Sequence, residues 1–145
     1  AAVSWADMLE LESDVAAGNA DFGALAYVTN PLVRASMKNV QRFTSTDSPL
    51  WEPGGMKDGM PYGTVNGYPA FATNHVAGVS AAGDHHVFFG NWSDMILGFF
   101  GEGVRLLIDP YTSAGKREVI VHAYAMADVL IVRPGSFSEI TDALA

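Results

Sequence analysis

The sequence predicts an α+β protein, in which an α/β lobe comes first and antiparallel strands follow. Three observations support this fold class. Apolar residues recur with helical spacing near the amino terminus, a turn-rich stretch occupies the middle, and the longest strand pattern, residues 118–132, lies near the carboxyl end. Both predicted helices therefore lie in the first part of the chain, and the antiparallel strands follow them, as in α+β folds.

The first helix has clear signals at both ends. Ser4 is placed to cap it, with Asp7 three residues later as a variant of the capping box. Gly18-Asn19 ends the pattern. The intervening apolar residues recur with helical spacing and leave an acidic outer face: Trp5, Met8, Leu9, Leu11, Val15 and Ala16.

A short buried strand and a second helix follow. Residues 24–29 are apolar enough for a buried strand, and Asn30-Pro31 supplies a cap and a first-turn proline for a helix over residues 32–40. Residues 44–66 are rich in Gly, Pro, Ser, Thr and Asp. They predict a long, exposed loop with a short strand near Leu50, anchored at Trp51.

The remainder predicts antiparallel β-structure. The expected elements are a strand over 68–73, a loop over 77–84, a short strand over 87–89, a hairpin of 95–100 with 104–108 around Gly101-Glu102-Gly103, a long strand over 118–132, and a short tail after Pro134-Gly135. The expected organisation is therefore an α/β lobe over residues 1–84 and a β-meander with a tail over residues 85–145.

Composition and charge exclude several classes of protein. Apolar residues make up 49% of the 145 residues, enough for a sizeable core, yet no apolar run approaches the length of a membrane span. The formal net charge of −8 and the scattered basic residues disfavour sequence-specific nucleic-acid binding. The absence of Cys excludes disulfides, thiolate catalysis and Cys-based zinc sites.

Histidine is the one residue type that suggests a metal. His85-His86 is adjacent to Asp84, and His75 lies ten residues upstream. Neighbouring residues of a strand point to opposite faces, and no H-E-x-x-H or H-x-H spacing is present. We therefore expect no metal ligand, no cofactor and no catalytic residue, and we interpret His122 as a hydrogen-bonded strand residue. A metal-dependent enzyme using His75, His85 and His86 is the less favoured alternative.

Three blocks, in this order, carry a resemblance to a known family. Gly67-Tyr68-Pro69 opens a strand, Phe89-Gly90-Asn91-Trp92-Ser93 is similar to an F-G-D-F-S turn, and residues 117–137 are similar to a last long strand followed by Pro and an aromatic residue. Upstream, residues 26–31 and 50–53 are similar to its W-V-x-N-P and x-L-W-x-P segments. The chain resembles the carboxyl-terminal portion of tailed-bacteriophage major capsid proteins, whose Hong-Kong-97-type fold encapsulins share.

The resemblance implies a fold and a function. Residues 1–84 would correspond to the axial domain and residues 85–145 to the peripheral domain. The family's amino-terminal arm, extended loop and spine helix have no counterpart in this sequence, so we expect a fragment. The implied function is a self-assembling subunit of a phage or prophage capsid. It would be made in the bacterial cytoplasm and located in the virion, with copies of itself as partners and no specific nucleic acid, membrane or small-molecule substrate. An encapsulin-like compartment is the alternative.

The long strand has two different faces. One face is wholly apolar (Val119, Val121, Ala123, Ala125, Ala127, Val129 and Ile131), and we expect it in the chain's own core. The other is mixed (Ile120, His122, Tyr124, Met126, Asp128, Leu130 and Val132), and we expect a spine helix or a neighbouring subunit to cover it. The candidate subunit-contact residues are Trp51, Tyr124, Met126 and Leu130.

Overall fold

The structure, a computed structural model, describes residues 3–57, 59–76 and 84–144. It divides into two units: a sheet unit formed by Ala1–Asp94 with Arg133–Ala145, and a ribbon unit formed by Met95–Val132. The two units therefore divide after Asp94 and before Arg133, and not at the boundary expected near residue 84. The chain leaves the sheet unit after Asp94 and returns to it at Arg133.

The sheet unit contains two helices and six strands. The helices are α1 (Trp5–Ala17) and α2 (Pro31–Asn39). The strands are β1 (Leu25–Thr29), β2 (Glu52–Lys57), β3 (Met60–Val65), β4 (Tyr68–Ala72), β5 (Asp84–Asn91) and, after the ribbon, β8 (Phe137–Leu144). They form one sheet in the order β2-β3-β4-β1-β5-β8, in which only the β1–β4 pair is parallel among the described strands.

Both helices begin where the sequence predicts. The Ser4 hydroxyl accepts the Asp7 N–H, and the Asp7 carboxylate accepts the Ser4 N–H at 2.7 Å, which completes the capping box. The Asn30 side chain accepts the Leu32 N–H at 2.9 Å, with Pro31 in the first turn. Their apolar stripes pack on one face of the sheet with Tyr27, Val87 and Phe89 to form the core.

The turn-rich stretch after α2 is more ordered than expected. Instead of one long loop, it forms the antiparallel hairpin of β2 and β3. The glycines serve close packing here. A Cβ at Gly54 would lie 2.4 Å from the Tyr62 ring, and one at Gly63 would lie 2.2 Å from Trp51 Nε1. Trp51 is anchored as predicted, since it is buried in the core. The predicted loop over residues 77–84 lies almost wholly outside the described residues.

The expected β-meander is not formed, because β5 and β8 extend the sheet that β1 begins. The expected tail is β8 itself, paired with β5 from Gly90–Phe137 to Asp84–Leu144. Three residues after Pro134, the chain resumes an extended conformation that the open edge of β5 can pair. The short strand expected over 87–89 is correspondingly longer.

The ribbon unit consists of two long antiparallel strands, β6 (Met95–Asp109) and β7 (Ile120–Ile131). The hairpin predicted around Gly101-Glu102-Gly103 is wrong. Gly101 and Gly103 have positive φ values of 75° and 82°, and they form a bulge in β6 between Phe100 and Arg105 rather than a reversal. The long strand predicted over 118–132 is confirmed as β7.

Candidate subunit-contact surface

The register of the ribbon fixes which side chains share a face. Residues that pair directly across antiparallel strands lie on the same face, and successive residues alternate. Leu97 pairs with Val129 and therefore lies on one face, whereas Phe100 pairs with Met126 on the other. Since β7 contains no bulge, its alternation defines both faces along the full length of the ribbon.

One face is wholly apolar, and we call it the apolar face. It consists of Met95, Leu97, Phe99, Leu106 and Ile108 from β6 with Val121, Ala123, Ala125, Ala127, Val129 and Ile131 from β7. Its alanines are clustered on β7, and its large side chains come mostly from β6. None of these eleven residues is charged.

The opposite face, which we call the mixed face, combines apolar side chains with charges. It consists of Ile96, Gly98, Phe100, Arg105, Leu107 and Asp109 from β6 with Ile120, His122, Tyr124, Met126, Asp128 and Leu130 from β7. Its charged groups can orient a partner, which purely apolar side chains cannot do.

Both faces are exposed. Every residue of β7 after Ile120 is exposed, as are most of the large apolar residues of β6. An isolated two-stranded ribbon is at best marginally stable in water, and exposed apolar patches of this extent mark contact sites. The ribbon therefore has the character of a surface that another chain or segment covers.

Three of the four predicted contact residues lie together on this surface. Tyr124, Met126 and Leu130 are all exposed on the mixed face. Trp51 is different: it is 1% exposed and packed within the sheet unit's own core, so it is not available to a neighbouring subunit. The prediction of Trp51 as a contact residue is corrected for this reason.

The expectation that the apolar face packs in the chain's own core is also wrong. Val121 is 57% exposed and Val129 53% exposed. The core is formed by α1, α2 and the six-stranded sheet, and it contains no residue of β6 or β7 among those described. Apolar residues at alternate positions of a strand show that one face of the strand must be buried, but they do not show which element buries it.

Sequence reasoning missed the contribution of β6. Phe100 and Arg105 stand beside Met126 and Tyr124 on the mixed face. The hairpin interpretation divided β6 into two short strands and concealed this pairing. The signal that could have revealed this pairing is segment length. Residues 95–109 are together long enough to pair with all of residues 120–131, whereas neither half of the predicted hairpin is.

Within the sheet unit, the residues that precede and follow the ribbon in sequence belong to one polar cluster. The Asp94 carboxylate accepts hydrogen bonds from the buried Ser136 hydroxyl and from Arg133 Nε and Nη2, at 3.1 and 2.9 Å for the two nitrogens. The bond from Ser136, together with the Arg133 guanidinium, lowers the pKa of Asp94 below 3.8. The residues on either side of the ribbon are thereby joined.

The Phe89–Ser93 turn is built around a buried side-chain oxygen. Asn91 Oδ1 accepts the backbone N–H groups of Ala24 and Ser93 at 3.2 and 3.1 Å. Trp92 Nε1 donates to the Ala26 carbonyl at 3.0 Å. An Asp carboxylate can accept the same two bonds, which explains why Asn91 is a conservative departure from the F-G-D-F-S pattern.

A second apolar surface lies on the sheet unit. A cavity of about 550 Å³ opens over β1 and β4, lined by Val28, Phe71, Trp92 and their neighbours. All nine lining residues are uncharged, so the cavity offers no ionic group to select a ligand.

The histidines do not converge. His75 is exposed on the segment after β4, His85 is buried on the core face of β5, and His86 points to the opposite face. The His86 ring stacks on Phe88 at 5.3 Å, and its Nδ1 lies 3.5 Å from the Glu139 carboxylate. Within residues 3–57, 59–76 and 84–144, no group of three or more His, Asp or Glu is arranged to hold a metal.

Comparison with known proteins adds evidence to the geometry. A family model described as the phage capsid family matches residues 1–142. The structure is similar to the SrpI encapsulin of Synechococcus elongatus PCC 7942, solved by cryo-EM in its holo complex, with a TM-score of 0.67 and 14% sequence identity. The match covers 98% of this chain and 50% of that one, so the chain spans half the length of the encapsulin. No curated protein matches the chain. In the described part of the chain, no helix is long and apolar enough to cross a membrane.

Proposed function

Because the chain belongs to the phage capsid family, we propose that it acts as a structural subunit of an icosahedral shell, assembled through repeated contacts between copies. The observation that carries this proposal is the ribbon. Met126 is 63% exposed, and apolar residues of both strands are similarly exposed on both faces. A subunit that works alone would gain nothing from such a surface, whereas a shell subunit buries it against its neighbours.

The two units suit different parts of such a subunit. The sheet unit has its own core and corresponds to the axial-like lobe of the family resemblance. The ribbon corresponds to part of the peripheral-like lobe. The apolar face fits a permanent cover such as the family's spine helix, and the mixed face, with Tyr124, Met126 and Leu130, fits a neighbouring subunit.

Electron microscopy of the product of the reading frame that encodes this chain tests the proposal. We expect closed particles of uniform size after expression in a bacterial host. Met126→Asp and Leu130→Asp should reduce particle yield, because each places a charge in a contact that excludes water. Leu32→Asp, at an exposed position of α2, is the matched control and should leave the yield unchanged. Folded protein that forms no closed particles under any assembly condition would contradict the proposal.

An encapsulin-like compartment is the alternative within the same fold, and the similarity to the SrpI encapsulin favours including it. The two functions predict different neighbouring genes. Portal, protease and terminase genes accompany a phage capsid, whereas a gene for a cargo enzyme accompanies an encapsulin. The contact surface serves either function.

A metal-dependent enzyme has less support. Such an enzyme needs three or four ligands directed at one point. His85 and His86 point to opposite faces of β5, and His75 lies on a separate exposed segment. The shell function that we propose requires no catalytic residue and no cofactor. The net charge of −8 likewise disfavours binding to phosphate backbones, so we propose that packaged DNA is enclosed without being bound specifically.

A further inference from the structure

Two opposite charges stand at equal distances from the centre of the mixed face. The centre is the Phe100–Met126 pair. Arg105 pairs with Tyr124, two residues from Met126 in one direction along β7, and Asp128 lies two residues away in the other. At about 3.4 Å per residue, each charge is displaced about 7 Å along the ribbon from the centre.

Neither charge has an ionic partner among the described residues. Both side chains are exposed, and the Asp128 carboxylate accepts only the N–H of the adjacent Val129 at 2.8 Å. The other charged groups of this face are engaged locally. The Asp109 carboxylate accepts bonds from Thr112 and the Tyr111 N–H, and it interacts with His122. Among the charged side chains of this face that the structure describes, Arg105 and Asp128 are thus the two left available for another molecule.

The centre between these charges is apolar. Phe100 is 58% exposed, and Met126 is similarly exposed beside it. The bulge of β6 leaves a cavity of about 90 Å³ next to this pair, lined by Gly101, Gly103, Tyr124 and adjacent residues. A protruding apolar side chain of a partner could enter it.

A surface with a cation on one side of an apolar centre and an anion on the other is complementary to itself. Arg105 lies on β6 and Asp128 on β7, on opposite sides of the central pair. A two-fold axis that passes through this centre, in the plane of the contact and perpendicular to the line from Arg105 to Asp128, exchanges the two charged sides. It therefore brings Arg105 of each copy over Asp128 of the other. We propose that the mixed face binds the mixed face of a second copy in this two-fold arrangement, centred on Phe100 and Met126 and oriented by two reciprocal Arg105–Asp128 ion pairs.

The proposal rests on the proposed shell function and specifies the partner of the contact surface. A shell needs closed two-fold contacts as well as the repeated contacts that form rings, and the mixed face fits the two-fold class because it is self-complementary. The apolar face carries no charge to fix a register, so it fits a cover that packing alone positions.

Charge exchange tests the orientation. Sedimentation velocity of the chain should detect a reversible dimer. Arg105→Asp and Asp128→Arg should each weaken it at least about tenfold, because each reversal opposes like charges at both ends of the contact. The double exchange should restore the dimer to within about threefold of the original. A chain that stays monomeric, single reversals without effect, or a double exchange that does not recover would each overturn the proposal.

Cross-linking tests the position of the axis independently. The chain contains no cysteine, so a single introduced thiol is unique in each copy. Because packed sheets lie about 10 Å apart, a short bismaleimide is better suited than a disulfide. Met126→Cys should cross-link efficiently in the dimer, whereas Ala127→Cys, exposed on the apolar face, should not. Preferential cross-linking through residue 127 would overturn the assignment of the face.

The two proposals fail in different ways. If particles of the reading-frame product form equally well with either charge reversal, the two-fold contact is refuted and the shell function stands. If the dimer and its charge exchange behave as expected but no particles form, the contact stands and the shell function is refuted.

Discussion

Asp94 and Arg133, the residues directly before and after the ribbon, are bonded to each other. Arg133 Nε and Nη2 both donate to Asp94 Oδ2, at 3.1 and 2.9 Å. The buried Ser136 donates its hydroxyl to the same oxygen. The 38-residue ribbon unit, Met95–Val132, is thus preceded by this carboxylate and followed by the arginine that binds it. This arrangement fixes the separation of the two chain ends that enter the ribbon.

Asp94→Asn should lower the thermal unfolding midpoint at neutral pH. It should also make that midpoint less dependent on pH in the acid range. The folded-state pKa of Asp94 lies below the unfolded value of 3.8, so its contribution is complete above 3.8 and is lost as pH falls through the lower folded-state value. Unfolding midpoints measured from neutral pH to pH 2 check this. Asp47→Asn, at an exposed carboxylate, is the control. An unchanged acid dependence in Asp94→Asn would show that the cluster contributes no stability.

Tyr27→Phe should destabilise the sheet unit by about 1.5–3 kcal/mol, because the hydroxyl of the buried Tyr27 donates to the half-buried Glu12 carboxylate at 2.6 Å. Burial, together with this bond, raises the pKa of Tyr27 above its unfolded value of 10.0. The contribution is therefore present below pH 10 and is lost as pH rises above it.

Chemical denaturation at pH 7 and pH 10.5 measures both effects. Tyr111→Phe, at an exposed tyrosine, is the control and should leave the unfolding free energy unchanged. A similar loss of stability in both variants would show that the Glu12–Tyr27 bond is not the cause.

Gly90→Ala should destabilise the protein by about 1–3 kcal/mol, the usual cost of adding a methyl group where no space exists. A Cβ at Gly90 would lie 2.5 Å from both Phe137 Cδ1 and the Ser136 carbonyl oxygen. At Gly115 a Cβ meets no atom within 4 Å, so Gly115→Ala should be neutral. Urea denaturation of the two variants compares them directly, and equal free energies of unfolding would refute the close packing of β5 against Phe137.

Val121→Asp and Met126→Asp should both leave the sheet unit folded, because Val121 and Met126 are exposed on opposite faces of the ribbon. Val87→Asp should unfold it, since Val87 is 0% exposed in the core. Circular dichroism and thermal melts distinguish these outcomes. If Val121→Asp unfolds the protein as Val87→Asp does, the apolar face is covered within the chain after all.

The elements that the sequence predicts correctly have local causes. The capping box of Ser4 and Asp7, the Asn30 cap with Pro31, and the apolar run of β1 each act within a few residues. The long strand β7 also has a local cause, since twelve consecutive residues without Gly or Pro favour an extended backbone. The order of the F-G-N-W-S and later blocks also indicated the family, which the match over residues 1–142 confirms.

The errors all concern pairing across distance. Gly101 and Gly103 are turn residues by composition, but the pairing of β6 with β7 on both sides of them makes them a bulge. The segment after Pro134 has little strand pattern of its own, yet the edge of β5 makes it β8. Trp51 was predicted as a contact residue within an exposed loop, but it is buried in the core beside the hairpin of β2 and β3.

The sequence by itself determined the two helices and their caps, the long strand β7, the capsid-family resemblance and the exposure of three apolar residues, Tyr124, Met126 and Leu130. Tertiary structure alone decided that β8 joins the sheet, that Trp51 is buried, and that neither face of the ribbon is covered by the described chain. The physical reason is that caps and periodicity act within one or two turns of chain. Strand pairing and burial depend instead on which distant segment supplies the free hydrogen-bonding edge and the apolar surface.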